Sequence, residues 1–260
     1  MRAALPMYER PQTRGVHDRF WALILEELTA AGIDAPADLD RSGFAAADLW
    51  SIWTDPELLL TQTCGLPFAR HFSSDVTLVG SPNLNLPGTP AGHYFSHIVK
   101  RAGASLPDQP RPAINDTHSQ SGWNAMLCWS EDQGLDLREA LLTGAHFESL
   151  RAVGSARADI AAIDAATWRL AARYAPELCD ALEILDDTPP TPAPPFITAK
   201  PELVAPLQNA LSAAIARLTD EDKTALSLWG VVTLPLEAYN TVRAARTDQA
   251  KNACHTAKTA

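Results

Sequence analysis

The sequence has no Cys-x-x-Cys pair, no histidine at a zinc-like spacing from a cysteine, and no Lys/Arg-rich patch. Its four cysteines, Cys64, Cys128, Cys179 and Cys254, stand far apart, so neither a disulfide framework nor a structural zinc is expected. His93 and His97 flank Tyr94 with no acid at a ligand spacing, and no metal or cofactor is assigned. No apolar run approaches the ~20 residues of a membrane span. The formal net charge is −10, and the acids are scattered rather than gathered in a tail. Nucleic acid is therefore not an expected partner. A small anion is not excluded, because such a site needs local donors rather than a positive whole. After Met1 there is neither an apolar leader core nor a small-residue cleavage site. The sequence as written reads as cytoplasmic, and as periplasmic if a leader was removed from it.

What is present is an ordinary globular composition, 46% hydrophobic and 20% charged over 260 residues. That length suits one large α/β domain or two modest lobes. Strands are expected at 3–8, 58–63, 76–80, 94–99, 112–115, 158–164 and 182–185, with a brief extended run at Ile197. Helical spacing marks 16–31, where Phe20, Leu23, Ile24, Leu25 and Leu28 share a face, and 201–218, where Leu203, Leu207, Leu211 and Ile215 do. Shorter helical patterns cover 123–129, 136–142, 147–153, 165–174 and 220–228, and a last helix is expected over 236–250. Residues 188–195 hold five prolines, too many for a regular element. The alternation of strands and helices predicts mainly parallel sheets covered on both faces.

The stretch 115–124 reads Asn-Asp-Thr-His-Ser-Gln-Ser-Gly-Trp-Asn. It follows a strand and opens a helix. Helix starts carry unpaired N–H groups and a partial positive charge, so Ser119, Gln120 and Ser121, with Gly122 allowing close backbone approach, form a cradle for a phosphate- or carboxylate-like group. Simple capping of the helix by Ser119 or Ser121 is the competing reading. In α/β sheets ligands gather beyond the strand C-terminal ends. Tyr8, the Thr63-Cys64-Gly65 run, the serine cradle and Asp164 all fall at such ends, and Tyr94 joins the ligand-contact set. Asp164 equally suits an N-cap for the helix after it. Cys64 has no base near it in sequence and reads as a small buried residue.

Four segments together resemble the phosphonate/phosphite/phosphate-type solute-binding proteins of ABC importers, which have the type 2 periplasmic-binding fold. They are 59–65 (Leu-Leu-Thr-Gln-Thr-Cys-Gly), 115–124, 143–153 with its Gly144-Ala145-His146, and 158–168 with its Ala-Ala-Ile-Asp. The resemblance implies two α/β lobes joined by two hinge crossings, the first lobe 1–88 plus 189–260 and the second 89–188. A small oxyanion would be clamped in the cleft between them. It implies oxyanion contacts from Ser119, Gln120, Ser121 and backbone amides, a contact from His146, and a cleft-facing Asp164. It implies no catalysis, and a permease partner if the protein is exported. Where many relatives have a serine before the histidine this chain has Ala145, so one polar contact of the pattern is not expected. A cytoplasmic enzyme or a metabolite sensor on the same fold is the alternative.

Overall fold

In a computed structural model, residues 1–42 and 49–244 are described. Cys254 and the end of the expected last helix, 245–250, lie outside them. In chain order the strands are β1 (Arg2–Ala4), β2 (Leu58–Gln62), β3 (Thr77–Asn83), β4 (His93–Tyr94), β5 (Ser96–Arg101) and β6 (Pro112–Ile114). They continue with β7 (Leu141–Leu142), β8 (Ile160–Asp164), β9 (Leu182–Asp187), β10 (Thr191–Pro192), β11 (Phe196–Thr198) and β12 (Gly230–Val232). The helices are α1 (Arg14–Ala30), α2 (Leu49–Trp53), α3 (Gly65–Pro67), α4 (Ala125–Asp132) and α5 (His146–Gly154). After these come α6 (Ala165–Tyr174), α7 (Pro176–Asp180), α8 (Val204–Arg217), α9 (Asp220–Leu226) and α10 (Leu236–Asn240).

The described residues divide into two compact units, one within 1–94 with 191–241, the other of 95–190 with 242–244. Unit 1 carries a five-stranded sheet in the order β1-β2-β11-β3-β12. Every residue of β2 is buried, which is why Leu58-Leu59-Leu60 reads as a continuous apolar run. On one face α1 packs on α8. Phe20, Trp21, Ile24 and Leu28 of α1 and Leu207, Leu211 and Ile215 of α8 share a core with Leu59 and Leu60. The helical spacing of these residues places them on one stripe, and their burial is the main force holding the helices to the sheet. On the other face an aromatic cluster gathers Trp53, Phe68, Phe72 and Tyr239 around Leu58 and Ile197.

Unit 2 carries the order β7-β6-β8-β5-β9. Here β8 is buried along its whole length, and Ile98, Ile114, Trp123, Met126, Leu127 and Ile160 form a core. Trp123 is thus a core residue, as its helical position suggests. Trp129 packs at the edge of that core while its indole N–H donates to Asp186 at 2.9 Å.

The expected mostly parallel arrangement gives way to mixed sheets. β1 with β2, and β6 with β7 and β8, are parallel. β11 is antiparallel to β2 and β3, and β5 is antiparallel to β8 and β9. Parallel neighbours need a crossover helix to carry the chain back to the same end. β5 and β11 follow proline-containing extended stretches or paired strands instead, so nothing reverses the chain before they enter their sheets. Residues 136–140 are not helical, as 136–142 was expected to be. Their carboxyl end becomes β7, paired with β6. The first strand stops at Ala4 rather than Tyr8, with Pro6 just beyond it. Proline removes the N–H that a ladder needs.

Candidate functional site

The site in unit 2 is built at the carboxyl end of β6. Ile114 ends that strand, and its carbonyl accepts from both the amide (2.8 Å) and the hydroxyl (2.9 Å) of Thr143. The Thr143 hydroxyl also bonds Ser149 Oγ at 2.7 Å. These bonds tether the turn before α5 to the strand. Gly144 in that turn has φ +85°, a conformation side chains resist. The turn so held delivers His146 as the first residue of α5.

On the other side of β6, residues 120–124 form a single π-helical turn that runs straight into α4. Ser119 caps it: its Oγ accepts from the Gly122 amide at 3.0 Å, and its carbonyl accepts from the Asn124 amide at 3.0 Å. Gly122 is required by contact. A Cβ there would lie 1.9 Å from Asn115 Oδ1, far inside van der Waals distance. Ser119, Gln120 and Ser121 are all buried.

The two helix starts meet. Ser121 Oγ stands 3.0 Å from His146 Nε2. The Ser121 carbonyl accepts from Ser96 Oγ at 2.9 Å. Ser96 begins β5, pairs in register with Asp164 at the end of β8, and takes the Thr188 hydroxyl as acceptor for its own amide at 2.9 Å. One residue therefore ties the serine turn to the strand end that carries Asp164. Asp164 is buried and caps α6, its Oδ1 accepting from the amides of Ala166 (2.7 Å) and Thr167 (3.1 Å).

The histidine of this cluster is neutral. Desolvation lowers the His146 pKa to about 4, with a backbone group of Ala162 pulling the other way. The residue keeps some exposure while its Nδ1 is buried. The ring is uncharged at pH 7.

The remaining expected contacts belong to unit 1. Tyr8 is buried and, with Gln62 and His17, lines a cleft of about 290 Å³ counted with its open mouth, otherwise walled by Leu5, Phe20, Pro82, Leu84, Leu226 and Leu228. Thr63 is fully buried, donating its amide to the Pro195 carbonyl at 3.0 Å and its hydroxyl to the Cys64 carbonyl at 3.3 Å. Cys64 is a half-buried free thiol preceding α3. Tyr94 is buried in β4, opposite Thr191 of β10. Within unit 2 the structure links Ser119, Gly122, Ser121 and His146 by hydrogen bonds and sets Asp164 opposite Ser96 in the β5–β8 register.

Ser96, Asn115 and Thr143 are the members that sequence reasoning did not select. A serine at a strand edge, an asparagine at a strand end and a threonine before a glycine are common enough to carry no signal of their own. His97, read from sequence as lacking an acid partner, gains one: its Nδ1 lies 2.6 Å from Asp187, across the β5–β9 pair. The partner was invisible because it is far away along the chain.

With this geometry in hand, comparison with known proteins is direct. The profile of a family described as "ABC transporter, phosphonate, periplasmic substrate-binding protein" matches residues 104–234, half of the 260-residue chain. The chain belongs to that family. The match contains Ser119, Gln120, Ser121, Gly122, His146 and Asp164 but not Ser96. Among solved structures, PhnD1 of Prochlorococcus marinus in complex with methylphosphonate superposes with TM-score 0.69 at 13% identity, covering 93% of this chain and 95% of that one. A binding protein component of an ABC phosphonate transporter from Pseudomonas aeruginosa gives TM-score 0.57 at 14% identity over 87% and 72%. A Xanthomonas citri protein bound to ATP gives 0.63 at 12% identity over 92% and 94%. At such identities these likenesses establish the fold, the type 2 periplasmic-binding architecture. No curated protein matches the sequence. The chain is therefore a solute-binding protein rather than an enzyme, of a family described as periplasmic. Among the described residues no helix is long and apolar enough to cross a membrane.

Proposed function

We propose that this protein binds a small oxyanion, phosphonate, phosphite or phosphate, at the start of the helix running from the 120–124 turn into α4. It would serve in the periplasm as the solute-binding component of a phosphonate-type importer, delivering its guest to an ABC permease. The observation that carries the reading is the meeting of two helix starts at Ser121 and His146, 3.0 Å apart. Helix starts offer amide donors and a favourable dipole to negative charge, and the serine hydroxyls add donors of the right size. Gly122, with no side chain, lets Asn115 Oδ1 pack against the turn and hold it in place. In this reading Ser119, Gln120, Ser121 and Gly122 hold the oxygens, His146 supports them, and Asp164 lines the site. Tyr8, Thr63, Cys64 and Tyr94 of unit 1 supply further contacts.

The test is calorimetry and thermal denaturation on protein purified without phosphate, against methylphosphonate, phosphite, phosphate and sulfate. A ligand at a hundred times its Kd stabilises the folded state by about 2.7 kcal/mol, a readily measured rise in Tm. Binding of at least one phosphorus oxyanion, weakened tenfold or more by Ser121→Ala, is the expected result. A flat response to all four would refute the assignment.

A further inference from the structure

The cleft of unit 1 is lined by two polar side chains whose hydrogen-bonding capacity the fold leaves unused. Its walls are apolar apart from Tyr8, His17 and Gln62. His17 is only 4% exposed, and its Nδ1 lies 3.0 Å from the Thr13 carbonyl at the start of α1. A carbonyl has no proton to give, so Nδ1 carries a hydrogen and donates it. That carbonyl is itself held in place, since it also accepts from the amides of Val16 (2.9 Å) and His17 (3.1 Å). The imidazole is thus pinned by one edge. Nε2, on the opposite edge, has no hydrogen-bond partner among the described residues and is not sealed from the cleft. Glu9 and Asp18 act on the ring from beyond ion-pair distance, and Arg41 holds both of them. Burial outweighs their pull and keeps the His17 pKa below 6.5. At pH 8 the ring is neutral, and Nε2 offers a lone pair.

Gln62 is the second such group. It closes β2 and is 8% exposed. Its backbone carbonyl accepts from the Trp53 indole N–H at 3.1 Å, but its side-chain amide has no partner among the described residues and is likewise not sealed off. An amide brings two N–H donors and an acceptor. The chemistry of the cleft follows from these two groups and their surroundings. With His17 neutral, no lining residue carries a charge, so an ion placed there would lose its hydration with nothing to offset the loss. A water would find few bonds among walls that are mostly leucine, phenylalanine and proline. A small organic body suits such walls. A hydroxyl on that body satisfies both polar groups at once, because it donates one hydrogen and accepts another.

We propose that this cleft is a recognition site for an uncharged, hydroxyl-bearing organic group, whose O–H donates to His17 Nε2 and whose oxygen accepts from the Gln62 amide. At about 290 Å³ with its open mouth included, the cleft limits the group to a few non-hydrogen atoms. Such a group can arrive in two ways, as the organic substituent of a phosphonate guest or as a separate neutral molecule. The first way rests on the oxyanion-binding reading given above. The second does not.

Two measurements at pH 8 on the intact protein test this. Calorimetry compares hydroxymethylphosphonate with methylphosphonate, which differ by one hydroxyl. If the guest carries the group, the native protein favours the hydroxyl compound by roughly two- to tenfold, the net worth of one hydrogen bond, and His17→Phe erases that preference. The second measurement needs no variant to fold. Nitrogen chemical shifts of the His17 ring are followed in the native protein as propylene glycol, a neutral diol, is added. If a separate molecule carries the group, Nε2 of His17 moves ahead of the other imidazoles. Either response supports the proposal and names the source. Equal affinities for the two phosphonates together with a ring unmoved by the diol overturn it, leaving the oxyanion site standing. If neither phosphonate binds, the diol alone decides for the cleft, and the oxyanion reading is judged separately on its four ligands. In the empty protein the same spectra should show the proton on Nδ1 of His17, and a proton found on Nε2 overturns the proposal outright.

Discussion

Capping and ligand contact make opposite demands on a hydroxyl, and Ser119 and Ser121 divide them. Ser119 Oγ already accepts from the Gly122 amide, so its oxygen is committed to the turn. Ser119→Ala should therefore lower the stability of the empty protein by about 1 kcal/mol, the usual worth of an N-cap, as read by urea denaturation. Ser121→Ala should leave that midpoint nearly unchanged and act on ligand affinity instead. Gly122 gives a sharper test. Gly→Ala inside a helix ordinarily stabilises by up to about 1 kcal/mol. Here the added Cβ would sit 1.9 Å from Asn115 Oδ1, and the turn must shift to admit it. Gly122→Ala is expected to cost about 1–3 kcal/mol. Asn115→Ala in the same chain should recover part of the loss, and a double-mutant cycle with no coupling between the two would show that the contact does not matter.

At the scale of the element, the sequence announced most helices and strands, and the reasons are physical. α1 and α8 carry apolar residues at helical spacing and bury that stripe. β8 is apolar up to its closing Asp164 and buried along its whole length. α6 was legible to the residue, because Asp164 before it is both a strand end and a cap. Strand direction was not legible, since the pattern of a buried strand does not depend on whether its neighbour runs parallel or antiparallel. Nor was the 136–142 segment, where a helical run of apolar positions lost to pairing with β6. The candidate site was legible as a set of strand ends and helix starts. Its internal wiring through Ser96, Asn115 and Thr143 was not, because those bonds join residues far apart in sequence. Asp164 shows how a single element can test both of its readings. Asp164→Ala should destabilise by about 0.5–2 kcal/mol, whereas Asn caps nearly as well and Asp164→Asn should hold the Tm close to that of the native protein. If Asp164→Asn then binds methylphosphonate like the native chain, the carboxylate serves α6 and not the ligand.

Across the whole molecule the same physics governs the response to acid, and each unit contributes its own histidine. In unit 1, His17 is buried, and desolvation lowers its pKa below the ordinary 6.5 although the Thr13 carbonyl, 3.0 Å from Nδ1, opposes this. In unit 2, burial takes His146 down to about 4. Both rings are neutral in the folded state at pH 7, and both gain a proton more readily when the chain unfolds. The unfolded chain thus binds more protons below pH 6.5, and stability must fall as pH drops from there toward the folded values. Carboxylates act in a lower window. Asp40, held below the usual carboxylate range by the Ser42 hydroxyl and amide and by Arg2, loses its contribution only as pH falls below about 4. Unfolding free energy measured between pH 7 and pH 4.5 should therefore decline in the native protein, and decline less steeply in His17→Gln and in His146→Gln. The double variant should be flatter than either, because the two rings sit in separate units and their proton linkages add. A native profile level from pH 7 to 4.5 would mean that neither imidazole is as dry as its surroundings indicate.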